Sequence, residues 1–201
     1  MIKDINDNIY ALIGDKGTPI GLRANIMANY GSLGLNDKIF YVDIAACIGC
    51  RSCETACKQQ NDLPAGIQWR KIVDWEGEIE NKTALISVPI FCQHCDDPPC
   101  VKVCPRGALR KRPQDGIVES DTDRCIGCRF CMWVCPFGAI QVQAGKVQKC
   151  SLCIGSQEAE LLPACVESCP VSALHFDTIS EISKLINCRI SKAAVRRMRN
   201  K

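Results

Sequence analysis

Sixteen of this chain's seventeen cysteines fall into four groups of four, and no other feature restricts the possible folds as strongly. The groups read Cys47-x2-Cys50-x2-Cys53-x3-Cys57, Cys92-x2-Cys95-x4-Cys100-x3-Cys104, Cys125-x2-Cys128-x2-Cys131-x3-Cys135 and Cys150-x2-Cys153-x11-Cys165-x3-Cys169. The last three end in Cys-Pro, at Pro105, Pro136 and Pro170, whereas Cys57 is followed by Lys58. A repeat of this kind organises a chain. The segments between groups are short and aromatic residues make up only 5% of the sequence, so little is left to pack a large core. Cross-links of some kind must then contribute much of the fold's stability.

Three chemistries use cysteine at this density: disulfide scaffolds, zinc arrays and iron–sulfur clusters. Zinc usually takes two separated pairs, which explains poorly a triplet at i, i+3 and i+6 that occurs twice with a fourth cysteine at i+10. Disulfides meet a similar objection, because triplets spaced by three suggest a shared centre rather than pairwise bridges. Three thiolates on one tight loop instead grip three iron corners of a cubane. The fourth, carried away as the chain turns into a helix, serves a second cluster. Proline is tolerated where a helix begins, so each Cys-Pro step is compatible with a fourth ligand standing at a helix start. Gly49, Gly127 and Ser52 would let the backbone approach closely and aim amides at the sulfides.

Exchange of fourth ligands predicts two-cluster ferredoxin units. Groups two and three lie close in sequence, and groups one and four would form a second unit around them. The four ligand sets are then Cys47, Cys50, Cys53 and Cys169; Cys57, Cys150, Cys153 and Cys165; Cys92, Cys95, Cys100 and Cys135; and Cys104, Cys125, Cys128 and Cys131. Spacing leaves a second pairing open, group one with two and three with four. Cys188 is left over and is expected to be a small core residue of a terminal helix.

The rest of the chain reads as α+β. KIFYVD (38–43), QWRKIVDWEG, TALISVPIF, GIVES and LHFD (174–177) carry strand patterns, and KRPQDG a turn. SEISKLINCRISKAAVRRM has helical period with Ile182, Leu185, Ile186 and Ile190 on or near one side. The expected layout is an extension over 1–37, a first unit from 38–91 and 145–178, a second from 92–144, and a basic helical tail over 179–201. Some ordering of 1–37 is expected, because Ile9, Tyr10, Leu12, Ile13, Ile20 and Leu22 would be costly to expose together.

Formal charge is +3, which four oxidised cubanes of about −2 each would turn to about −5. Nucleic-acid binding is therefore not indicated. The start resembles neither a signal peptide nor a twin-arginine leader, and no stretch is long and apolar enough to span a bilayer. The cytoplasm is the expected compartment, with co-export beside a signal-bearing partner as the alternative. Arg51, Lys58, Arg129, Lys146 and Lys149 flank ligands and are candidates for stabilising a reduced cluster. His94 stands between two ligands and is expected to be packed or solvated rather than a pH coupling group. No P-loop, dinucleotide fingerprint or catalytic constellation is present, so the chain is expected to carry out no substrate chemistry of its own.

FCQHCDDPPCVKVCP and DRCIGCRFCMWVCPFGAIQ, together with WRK, KVQKCSLC and ACVESCP, strongly resemble the four-cluster electron-transfer subunits of the dimethyl sulfoxide reductase superfamily. The resemblance covers about residues 38–178. It implies two packed ferredoxin-like units, one inserted in the other, and the nested ligand sets given above. It also implies a large molybdenum- or tungsten-pterin catalytic subunit as partner, with a membrane anchor or soluble carrier beyond. The nitrate-reductase branch has tryptophan where this chain has Cys128, so the resemblance implies four [4Fe-4S] clusters. The Cys47, Cys50, Cys53 and Cys169 cluster would lie nearest the pterin, and the Cys104, Cys125, Cys128 and Cys131 cluster farthest from it. The long front segment departs from the family's short lead-in. The alternative reading is a cluster-carrying ferredoxin serving a hydrogenase or an aldehyde- or formate-oxidising complex.

Overall fold

A computed structural model of the chain describes residues 38–79 and 82–199, with the two short segments 13–14 and 18–19. Those segments, β1 (Ile13–Gly14) and β2 (Thr18–Pro19), pair antiparallel. The expected ordering of 1–37 otherwise lies outside the described residues, as do the side chains of the basic tail from residue 192.

The chain continues through β3 (Lys38–Val42), α1 (Ser52–Gln60), β4 (Arg70–Ile79) and β5 (Lys82–Phe91). Next come α2 (Pro99–Lys102), β6 (Leu109–Lys111), β7 (Val118–Ser120) and α3 (Phe130–Val134). Then follow β8 (Gln141–Gln143), β9 (Lys146–Gln148), α4 (Ile154–Glu158) and α5 (Ala164–Glu167). β10 (Leu174–Thr178) and α6 (Ile179–Arg199) complete it. Every sheet among the described residues is a two-stranded antiparallel pair, giving an α+β fold of small sheets and short helices.

β3 and β10 are far apart in sequence yet pair directly, with Val42 opposite Leu174 and Lys38 opposite Thr178. β4 and β5 form a long hairpin that sets Arg70 opposite Phe91. A lone two-stranded ribbon is marginal in water, and these ribbons are held by two small cores. Leu109, Val118, Ile140 and Val147 pack with Cys100 and Cys131, while Ile72 and Leu174 pack with Cys53 and Cys165. The cysteines are thus core members, and whatever occupies their sulfurs also holds the ribbons together.

α6 corrects one sequence expectation. Ile182 is buried and Leu185 and Ile186 are partly covered, but Ile190 and Cys188 are exposed. The helix face toward the sheet is finished by Arg189, which ion-pairs with Asp43 and lies 5.7 Å from the Tyr41 ring. At ~100° per residue, Ile182, Ile186 and Arg189 share that face while Cys188 turns to the outside. Cys188 is therefore not a core residue.

Candidate iron–sulfur centres

The first and third cysteine loops take the same shape because both carry Cys-Ile-Gly-Cys-Arg. Gly49 and Gly127 have φ of +67° and +69°, and Arg51 and Arg129 are also left-handed, immediately before α1 and α3. Left-handed turns of this sort gather backbone N–H groups into a concave, anion-binding surface. Gly127 has a second constraint: a Cβ there would lie 2.7 Å from the Gly145 carbonyl oxygen. The loop is therefore seated directly on the β8–β9 turn.

The Cys-Pro steps do not start helices, contrary to the expectation. α2, α3 and α5 end before Cys104, Cys135 and Cys169, and each Cys-Pro opens a β-turn. In the turns, Gly107, Gly138 and Ser172 donate to the carbonyls of Cys104, Cys135 and Cys169 at 3.2 Å each. Proline at the second turn position is favoured for the same fixed φ that suits a helix start, so the residue alone did not distinguish the two. One residue further on, the N–H groups of Ala108, Ala139 and Ala173 donate to Sγ of Cys104, Cys135 and Cys169 at 3.2, 3.5 and 3.2 Å. Backbone donors at 106–109 outweigh desolvation at Cys104 and hold its thiol below the ordinary value.

Cys57, which lacks the proline, stays inside α1. Its sulfur is met instead by a side chain. Asn61 Nδ2 lies 3.7 Å from Cys57 Sγ and donates to the Cys57 carbonyl at 2.9 Å.

The fold brings cysteines from different groups around common cavities. One is lined by Cys57, Cys150, Cys153 and Cys165, a second by Cys92, Cys95, Cys100 and Cys135, and a third by Cys104, Cys125, Cys128 and Cys131. Cys47 and Cys169 lie beside Cys53 in the smaller core. Among the described residues, no three His, Cys, Asp or Glu side chains converge as one metal ion requires. The sulfurs ring voids, which suits a multi-atom cluster better than a single zinc ion.

Two further observations fit such a cluster. Burial, reinforced by neighbouring cysteines, pushes the thiols of Cys57 and Cys100 up to about 12. A thiolate at such a position needs a cation at the sulfur, and iron supplies one. Conversely, Nη1 of Arg70 is buried with no hydrogen-bond partner, and its positive charge acts on Cys53, Cys57, Cys150 and Cys165. It is a buried donor facing sulfur.

The flanking cations differ sharply in depth. Arg51 is tied to Asp74 and Glu54 at 2.7 and 3.4 Å, and Arg129 is exposed. Lys146 bonds the Thr122 and Cys125 carbonyls, and only Lys149 of the five is buried. His94 is packed. Its Nδ1 accepts the Val118 N–H at 3.0 Å, while burial and then the Lys149 charge hold it well below its ordinary value, so it stays neutral. Sequence reading missed Arg70, Asn61 and Glu54. The last is a buried carboxylate that accepts the Ile72 N–H and so fastens α1 to β4. The signal for Glu54 was present but weak, an acidic residue on the α1 face that also carries Cys53 and Cys57.

Residues 83–179 match the 4Fe-4S dicluster domain. Over 153 residues the chain is 43% identical to the probable anaerobic dimethyl sulfoxide reductase chain YnfG of Escherichia coli K12, covering 71% of this chain and 74% of that one. The protein belongs to the iron–sulfur subunits of the dimethyl sulfoxide reductase family. One chain of the anaerobic dimethyl sulfoxide reductase of E. coli K12 is 42% identical over 155 residues, covering 72% of this sequence and 75% of its own. One subunit of the sulfite dehydrogenase from Allochromatium vinosum is 36% identical over 175 residues, covering 74% and 73%. As a member of these iron–sulfur subunits, the chain carries four [4Fe-4S] clusters. No helix among its described residues is long and apolar enough to cross a membrane.

Proposed function

We propose that the sixteen grouped cysteines hold the four clusters in the nested arrangement. Cys47, Cys50, Cys53 and Cys169 form the first set, and Cys57, Cys150, Cys153 and Cys165 the second. Cys92, Cys95, Cys100 and Cys135 form the third, and Cys104, Cys125, Cys128 and Cys131 the fourth. The observation carrying this reading is that three cavities are each lined by four cysteines drawn from two groups, always one with four or two with three. On this scheme 38–91 with 145–178 make one unit and 92–144 the unit inserted in it.

The chain is an electron-transfer subunit, relaying single electrons between a molybdenum- or tungsten-pterin catalytic subunit and a further redox partner. Each cluster, when bound, takes up and gives back one electron with little ligand movement. The residues' part is to fix the sets in series and to keep water away from them. Cys53 and Cys165 share one core, Cys92 lies near Cys150, and Cys100 and Cys131 share the other core. The series thus runs from the first set to the fourth.

Both ends present apolar surface. Ile126, Phe130, Val134 and Trp133, the last 77% exposed, stand out on the loop and helix that carry Cys125, Cys128 and Cys131, and Ile48 stands out on the loop of Cys47 and Cys50. We assign the first end to the pterin subunit and the fourth to the next carrier, a membrane anchor or a soluble protein. The cytoplasm, whose reducing poise keeps these thiols free for loading, is the assigned compartment; export beside a signal-bearing partner is the alternative.

Anaerobic purification of the tagged protein tests the assignment. Co-purification of a molybdenum- or tungsten-containing subunit, with four cluster signals in redox-titrated electron paramagnetic resonance, is the expected result. A protein that purifies without a pterin-bearing companion and reduces substrate by itself would overturn it.

A further inference from the structure

Arg70 and Lys149 are the two cationic side chains buried among the described residues, 3% and 1% exposed. Burying a charge is costly unless something of opposite sign lies beside it. No carboxylate among the described residues ion-pairs with either. Lys149 Nζ rests on two carbonyls, those of Val118 and Cys150. The Arg70 guanidinium lies 4.0 Å from the Phe91 ring and 5.1 Å from that of Phe40, with Nη1 unpartnered. The fold goes to some length to keep both in place without a counter-ion of its own.

Their positions say what the counter-ion is. Arg70 lines the cavity of the second set with Cys57, Cys150, Cys153 and Cys165, and it covers the Phe40 ring, which packs on the core that holds Cys53 of the first set. Lys149 bonds the carbonyl of Cys150, a second-set ligand, and that of Val118, which lines the cavity of the third set with Cys92, Cys95, Cys100 and Cys135. Each stands at a junction between consecutive sets. The remaining junction, between the third and fourth, is filled by Leu109, Val118, Ile140 and Val147 and has no buried cation.

We propose that Arg70 and Lys149 are fixed counter-charges at the first two of the relay's three junctions, each raising the reduction potentials of the two clusters it separates. The inference rests on the ligand sets assigned above. Adding an electron makes a cluster more negative, so a cation held beside it at low dielectric favours the reduced form. The second set adjoins both cations and depends on both. The fourth set adjoins neither and is the internal reference.

The test is redox-titrated electron paramagnetic resonance on the anaerobically purified complex, with iron and sulfide counted first and signals assigned by single Cys→Ser variants. Arg70→Gln is expected to lower the midpoints of the first and second sets. The expected change is roughly tenfold in the reduced-to-oxidised ratio at fixed poise, about 59 mV for one electron. Lys149→Met is expected to lower the second and third sets, Arg70→Lys to restore most of the first effect, and the fourth set to stay put throughout. Fully loaded variants whose midpoints do not move, or whose four midpoints move together, would overturn the proposal. If Arg70→Gln loses iron, Arg70→Lys decides: full loading supports a counter-charge, and equal loss shows that shape and not charge matters. Failure of the ligand assignment would look different, since the unmodified complex would itself lack four signals or lose the wrong one with a given Cys→Ser change.

Discussion

Replacing Gly127 by alanine probes how tightly the third cysteine loop is seated. A Cβ at this position would meet three backbone atoms of Gly145, its oxygen at 2.7 Å, Cα at 3.0 Å and carbonyl carbon at 3.1 Å. Those atoms belong to the two-residue turn between β8 and β9, where Ala144 and Gly145 are both left-handed and little slack exists. Forced overpacking of this kind costs about 1–3 kcal/mol. Holding alanine at φ +69° adds about 1–2 kcal/mol. The loss of unfolded-chain freedom returns about 0.4–1 kcal/mol. The net destabilisation is about 2–3 kcal/mol, or roughly 30- to 150-fold in an opening equilibrium. Gly138→Ala is the control, with φ of +56° and nothing within 4 Å of its Cβ, and carries only the backbone penalty. The assay follows anaerobic bleaching of the iron–sulfur absorbance in chelator at a fixed guanidinium concentration. The overpacking term alone separates the two variants, so Gly127→Ala should bleach at least about fivefold faster than Gly138→Ala. Equal rates would refute the idea that the loop rests on that turn.

Asn61→Leu removes the donor at Cys57 Sγ and the cap on its carbonyl, so the midpoint of the second set should fall and stability drop by about 1 kcal/mol, read by redox titration and denaturant melts. Trp133→Asp places a charge in the exposed apolar patch at the fourth set; binding to the next carrier should weaken at least tenfold in pull-downs while iron content is unchanged. Because burial raises the Cys57 and Cys100 thiols to about 12, they hold their protons at neutral pH. Capturing iron must displace those protons, so reconstitution of a stripped chain should speed up from neutral toward alkaline pH, and a flat profile would argue against it. Arg189→Ala releases α6 from Asp43 at a cost of about 1 kcal/mol; limited proteolysis within α6 should accelerate with no change in cluster spectra.

Much of this site was legible because ligand spacing is local chemistry. A triplet at i, i+3 and i+6 needs no knowledge of the distant chain, and the two Cys-Ile-Gly-Cys-Arg loops fold alike for that reason. Strands with marked apolar alternation, β3, β4, β5 and β10, were equally readable. The short strands β6 and β9 were not, since three residues become a strand only through the partner they meet. The Cys-Pro steps misled because proline's fixed φ suits both a helix start and a turn. Arg70 was overlooked for a deeper reason. An arginine in Trp-Arg-Lys reads as surface until the strand opposite delivers Phe91 and β3 delivers Phe40. Lys149 looked like four other basic neighbours of cysteine, and only tertiary packing separated the buried one from the rest. Cys188 was judged by residue type, and helix phase decided otherwise.

The central claim is that cysteines exchanged between sequence groups enclose four cubanes. Native mass spectrometry of the anaerobically isolated protein addresses it most directly. The expected spectrum shows one dominant folded species heavier than the polypeptide by four [4Fe-4S] units, sixteen irons in all, with Cys165→Ser disturbing the same unit as Cys57→Ser. A folded protein carrying zinc, or carrying no iron and no inorganic sulfide, would contradict it.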